Sequence, residues 1–116
     1  MGVNFRGTEV RRGDLVTIAL QGDFGKPRPG LVIQSDLFNV HPSVTILPVT
    51  SEIRDAPLFR INVEPNEVNG LNKASQVMVD KPQTLARDKI GETFGRLDDN
   101  AMLSVNRALA VFLGFA

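Results

Sequence analysis

From Asp14 to Leu20 the sequence DLVTIAL sets Leu15, Thr17 and Ala19 against Val16, Ile18 and Leu20, and its β-branched content favours a strand over a helix. Gly13 and Gly22 bound it. A loop rich in glycine and proline leads to LVIQS, Leu31 to Ser35, and then to SVTILPVT, Ser43 to Thr50, where Val44 and Ile46 alternate with Thr45 and Leu47. Pro48 has no N–H to give a ladder, so this third run is expected to end, bulge or lie at an edge there, leaving Thr50 and Ser51 at a strand end. In FRINVEP, Phe59, Ile61 and Val63 share one face and Arg60, Asn62 and Glu64 the other, the pattern of a half-buried strand. An Asn-Gly turn signal in NEVNGLNK precedes a further strand, Gln76 to about Lys81, and Gly91 and Gly95 bracket a short piece, ETF. The period then changes. Met102, Val105, Leu109 and Phe112 recur at three or four residues, behind Asp98 and Asp99 as N-cap candidates and before Gly114 as a stop, which predicts one amphipathic helix from Asp99 to Leu113.

Five or six short strands followed by one helix predict a mainly β fold, a small curled, barrel-like sheet with a C-terminal α-helix, because a curled sheet protects its edges. No strand-helix-strand alternation argues for a doubly wound fold. With 116 residues the chain is expected to form one domain spanning 1–116.

Composition narrows the chemistry. Hydrophobic residues make up 42% and charged residues 22%, which fits a packed core. Thirteen basic residues balance thirteen acidic ones, so there is no general basic field and any nucleic-acid site must be local. The chain has no cysteine and a single histidine, His41, which removes disulfides, thiolate chemistry and a zinc cluster, and fits a reducing, cytoplasmic setting. The first apolar run is too short and interrupted for a signal segment or a membrane span, and Arg6 stands where a myristoylation motif needs Ser or Thr. The Arg12-Gly13-Asp14 tripeptide is read as the turn before the first strand. Phosphate-loop, zinc-protease and dinucleotide motifs are missing from the sequence.

Four places could still carry chemistry. Pro27 fixes its own φ and Pro29 pushes Arg28 toward extended geometry, so the guanidinium has few places to go. It can clamp a phosphate with little ordering cost, or be a solvated arginine in a stiff connector, the simpler reading on spacing alone. Thr50 and Ser51 can bind a phosphate oxygen or satisfy the turn after Pro48; chemistry alone favours the turn. His41 is a general-base candidate by residue type, but has no visible partner, which favours a loop histidine. Phe24 can stack on an unpaired base or plug the barrel mouth.

Taken in order, RRGDLVTIAL, KPRPGLVIQSD, ILPVTS and SQVMVDKPQT resemble the MazF/PemK/Kid family, the toxin halves of bacterial toxin–antitoxin pairs. The likeness runs from about Arg11 to the terminal helix. It implies an SH3-like curled barrel with a C-terminal helix, a homodimer, an antitoxin partner, and metal-independent, cofactor-free, sequence-selective cleavage of single-stranded RNA. Matched by motif, it implies Arg28 and Thr50 as catalytic residues, with Lys26, Ser51, Gln76 and Phe24 toward the RNA. Asp80 matches an acid that some relatives carry and is the candidate base, while Met78 replaces a basic residue common at that position. The expected reaction is attack of a ribose 2′-hydroxyl on the adjacent phosphorus, with Arg28 and Thr50 supplying alignment and charge neutralisation. Selectivity is expected from loops around Phe24 and Asn66 to Lys73. The alternative on the same architecture is a CcdB-like gyrase inhibitor, against which the chain ends FLGFA with no tryptophan.

Overall fold

A computed structural model describes residues 9–19 and 26–116 of the chain. Its elements are β1 (Asp14–Ala19), β2 (Pro27–Val32), β3 (Ser43–Thr50), β4 (Arg60–Val63), β5 (Ser75–Met78), β6 (Gln83–Ala86), β7 (Ile90–Arg96) and α1 (Asp99–Leu113). All pairings are antiparallel, in the order β4-β5-β3-β2-β1-β7, with β6 lying along the first half of β3. The sheet is curled without being closed. It is the mainly β, barrel-like fold with a terminal helix that the hydrophobic pattern predicts.

Strands β1 to β3 are buried on both faces, which explains why their sequences are apolar on both sides of the alternation. One face carries Val16, Ile18, Val32, Val44 and Ile46, joined by Ile90. The other carries Leu15, Leu31, Leu47, Val49 and Val77, against which α1 packs Val105 with Met102 and Leu109 beside it. Asp98 is the N-cap, its carboxylate accepting from Ala101 N at 2.7 Å, and Gly114 ends the helix in the left-handed region at φ 85. Phe112, the last member of the helical stripe, stays 48% exposed, in line with Val111, Leu113 and Phe115.

Two prolines shape the sheet. β3 does not stop at Pro48: on one edge it exchanges β6, paired up to Ile46, for β5, paired from Val49. The missing N–H falls in the gap between those ladders. On the opposite edge Ile33 N donates to Thr45 O, and strict alternation from that bond puts the next donors of β2 at Leu31 and then Pro29. Pro29 has none to give, and the β2–β3 ladder ends at Gly30 opposite Pro48. Beyond that pair the two strands part.

The sequence misplaced several boundaries. β2 starts at Pro27, inside the stretch expected to be loop, because β1 pairs with it back to Ala19–Pro27. β5 ends at Met78, with Val79 and Asp80 in a turn. β7 runs through both bracketing glycines, since Gly95 sits so close to Asn69 O that a side chain would not fit. β6 went unseen, its alternation of half-buried and exposed positions too weak to register. The Arg12-Gly13-Asp14 turn is present, with Gly13 at φ 95 and Asp14 accepting from Arg11 N and pairing with Arg96.

Candidate active site

Where β2 and β3 part lies an open groove of about 990 Å³. Its floor comes from Pro27 to Pro29 and Pro48 to Ser51, and its far wall from Gly70 to Lys73, in the loop between β4 and β5. That wall is firmly built. Asn69, 2% exposed, accepts from Asn66 N and Leu71 N through its amide oxygen and donates to Glu64 O. Gly70, at φ 66, brings the loop against Phe94, and Arg96 N donates to Val68 O at 3.0 Å.

The β2–β3 register, carried two residues past Gly30–Pro48, sets Arg28 opposite Thr50, and both line the groove with Lys26 and Ser51. Two residues distant in sequence thus line one groove, just beyond the last pair of the β2–β3 ladder. Thr50 Oγ1 accepts from Glu52 N at 3.0 Å, so the turn role expected of it is real. The same bond leaves its hydroxyl proton to point elsewhere. Among the described residues the groove lining contains the cations Lys26, Arg28 and Lys73 and no carboxylate.

The remaining sequence candidates fall elsewhere. Gln76, opposite Thr50 on β5, is 3% exposed and engaged throughout. Its oxygen accepts from Arg54 N and Arg60 Nη1, both at 3.1 Å, and its nitrogen donates to Arg54 O and Asn62 Oδ1. It does not line the groove; it straps down the loop that follows Ser51. Asp80 lines a second cavity of about 520 Å³, which shares Thr50 and Met78 with the groove. Here Arg54 holds the Glu52 carboxyl below its ordinary range through a 2.7 Å hydrogen bond and its charge. Phe24 lies outside the described residues. His41 is an exposed loop histidine whose Nδ1 accepts from Ser43 N, away from both cavities.

Sequence reasoning missed Arg60. It sits directly opposite Met78 on β4, so a cation reaches the strand position where the sequence shows methionine. Its placement on the polar face of FRINVEP was the available signal. Among the described residues, no three His, Cys, Asp or Glu side chains group as metal ligands, and no helix is long and apolar enough to cross a membrane.

A model of the PemK-like, MazF-like toxins of type II toxin–antitoxin systems matches residues 11–113. The chain belongs to that family. It is 46% identical over 108 residues to a probable endoribonuclease MazF of Mycolicibacterium smegmatis, covering 92% of this chain and 99% of the relative. An endoribonuclease MazF of Staphylococcus saprophyticus is 31% identical over 90% of this chain and 92% of its own. A solved endoribonuclease from a mycobacterial species, in complex with its cognate antitoxin, superposes with a TM-score of 0.78 at 25% identity, covering 92% and 97% of the two chains. These matches favour the ribonuclease reading over the gyrase-inhibitor alternative.

Proposed function

We propose that the chain is a MazF-type toxin, an endoribonuclease that cuts single-stranded RNA in the groove between β2 and β3. The observation that supports the site assignment is that Arg28 and Thr50 line one groove across the seam left by Pro29, and that the charged residues lining it, among the described residues, are all cations. A polyanion enters such a groove, and the donors are held before it arrives.

The chemistry follows from the groups present. The 2′-hydroxyl gives up its proton as its oxygen bonds to the adjacent phosphorus, the bond from phosphorus to the 5′-oxygen breaks, that oxygen takes up a proton, and the products are a 2′,3′-cyclic phosphate and a 5′-hydroxyl. Arg28 grips the non-bridging oxygens as charge builds on them, its backbone fixed by the flanking prolines. Thr50, its lone pair taken by Glu52 N, turns its proton toward the same phosphate. Lys26, Lys73 and Ser51 hold flanking backbone. The reaction needs a 2′-hydroxyl, so DNA is not a substrate, and it is expected to run without a metal.

Incubation with mixed-sequence single-stranded RNA in EDTA should yield fragments with cyclic phosphate and 5′-hydroxyl ends. Intact RNA, or equal cleavage by Arg28→Ala, would overturn the reading.

The toxin works in the cytoplasm, where its mRNA substrates are, as a single domain that is held silent by an antitoxin covering the groove. Its exposed helix end, Val111, Phe112, Leu113 and Phe115, supports a homodimer that buries this apolar surface. Light scattering should show twice the 12.7 kDa chain mass, and a monomer at micromolar concentration would remove the dimer from the proposal.

A further inference from the structure

We propose that Thr17 binds the substrate, its hydroxyl donating to an RNA backbone phosphate beyond the one that is cut, so that the groove grips the strand over β1 as well as over β2 and β3. The proposal rests on the RNA-cleaving reading above and extends its binding site by one strand.

The β1–β7 ladder is irregular where it borders the groove. Between the pairs Leu15–Gly95 and Val16–Thr93, β7 holds Phe94, which no residue of β1 matches. Between Val16–Thr93 and Ile18–Ile90, Thr17 alone faces both Gly91 and Glu92. These are two β-bulges in succession, and bulges beside active sites re-aim the side chains around them. Regular pairing from Leu15–Gly95 would set Phe94 opposite Val16, toward the apolar cluster that Val16 shares with Ile18. Instead Phe94 packs against the cluster of Leu15 and lines the groove together with Thr17. Gly91 leaves the room this requires, because a Cβ there would overlap the hydroxyl oxygen of Thr17. Glu92 does not line the groove.

Packing alone does not account for a threonine at this place. Leu15, Val16 and Ile18 around it are exposed by 1% or less, whereas Thr17 is half-buried and, among the described residues, the one member of β1 on the groove lining. Its hydroxyl takes part in no hydrogen bond among the described residues. Valine has the same β-branched shape and would leave no half-buried hydroxyl unpaired. The hydroxyl is therefore a donor held open toward the groove.

The surroundings say what it meets. Thr17 pairs with Pro29, and Arg28 and Thr50 lie one and two strands further across the sheet. At two strand spacings Thr17 is roughly 10 Å from Thr50, too far to share the scissile phosphate. The floor around these positions includes Pro27, Pro29 and Pro48, which have no N–H to offer an anion. An RNA strand that has its scissile phosphate at Arg28 and Thr50 and continues over β1 crosses this donor-poor floor and reaches the Thr17 hydroxyl. The charged residues on the lining, among those described, are all cations, so the strand runs with its phosphates toward the protein. A hydroxyl adds a short, directed bond that fixes position without adding charge.

Such a bond is the same before and during the reaction, so its loss should raise KM and leave kcat unchanged. The test is steady-state cleavage of the shortest RNA that wild type cuts, and of the same RNA extended by a few nucleotides at its 5′ or its 3′ end. Wild type, Thr17→Val, Thr17→Ser and Gly91→Ala are compared, with a thermal melt of each. Extension at one end should lower the KM of wild type. Thr17→Val should lose that gain, with KM on that RNA raised about tenfold, kcat and the salt slope unchanged, and the shortest RNA cut as by wild type. Thr17→Ser, which keeps the donor, should restore the gain, and Gly91→Ala, which crowds the hydroxyl, should lose it. Should Gly91→Ala fail to fold, the Thr17 pair decides alone. A Thr17→Val that matches wild type on every RNA, or a Thr17→Ser no better than Thr17→Val, would overturn the proposal. A fall in kcat on the shortest RNA would make Thr17 part of the frame of the cut site and overturn it equally. Extension that brings wild type no gain at either end defeats the β1 contact alone; wild type that cuts no RNA defeats the ribonuclease reading and the contact with it.

Discussion

The groove and the cavity beside it share two residues, Thr50 and Met78, and little else. Among the described residues the charges lining the groove are all positive, two of them, Lys26 and Arg28, beside the seam where proline ends the backbone ladder. In the cavity charges of both signs balance, and the walls come from β4, the turn after β5, and the loop after β3. A cationic groove attracts the repeating part of a nucleic acid, its phosphates, whatever the sequence. A balanced cavity gains nothing from charge and can favour a ligand only through shape and hydrogen-bond direction. The two adjoining regions are built for different contacts, so mutations on the two sides should fail differently.

The largest effect is expected from Arg28→Ala. Single-turnover cleavage should fall on the order of 10²–10³-fold, the usual loss when one transition-state charge donor is removed, with base preferences unchanged. A shift in preference instead would dissolve the division between the regions. Thr50→Val should cost roughly 10–100-fold, as for one hydrogen bond to a charged group.

Gln76→Leu tests the strap between the regions. Leaving Arg60 Nη1, Arg54 N and Asn62 without the amide should lower unfolding stability by about 1–3 kcal/mol, read from a denaturant melt. A variant as stable as wild type, with lowered RNA affinity, would return Gln76 to the RNA-facing role the family resemblance suggested. The smallest effect belongs to Lys73→Ala on the far wall. RNA affinity should weaken a few-fold, and the slope of log affinity against log salt should shrink by ~0.7, one single-strand phosphate contact.

Much of this architecture could be read before any coordinates. Ser43–Thr50 and Asp99–Leu113 stand where alternation and capping residues put them, because both elements bury most of one apolar face and end on strong local signals. The arginine and threonine were legible as a pair only through motif order, since what joins them is register, a property of two strands and not of either. Gln76 was misdirected for the same reason. Its position beside Thr50 is real, but whether a strand residue faces a groove or lies beneath a loop depends on a segment 22 residues away, at Arg54. Arg60 belongs to a third category: its polar-face position was visible, and its partner Met78 was not.

The wall from Gly70 to Lys73 carries one more consequence. Its shape is fixed from behind, by Asn69 within the loop and by the contacts of Gly70 and Val68 with Phe94 and Arg96 on β7. Leu71, Asn72 and Lys73 line the groove, Leu71 also bonding to Asn69 and packing on the core. A loop framed from behind in this way holds its groove-lining side chains at set places, so exchanging Asn72 or Lys73 would change what the groove presents without refolding the protein that does the cutting.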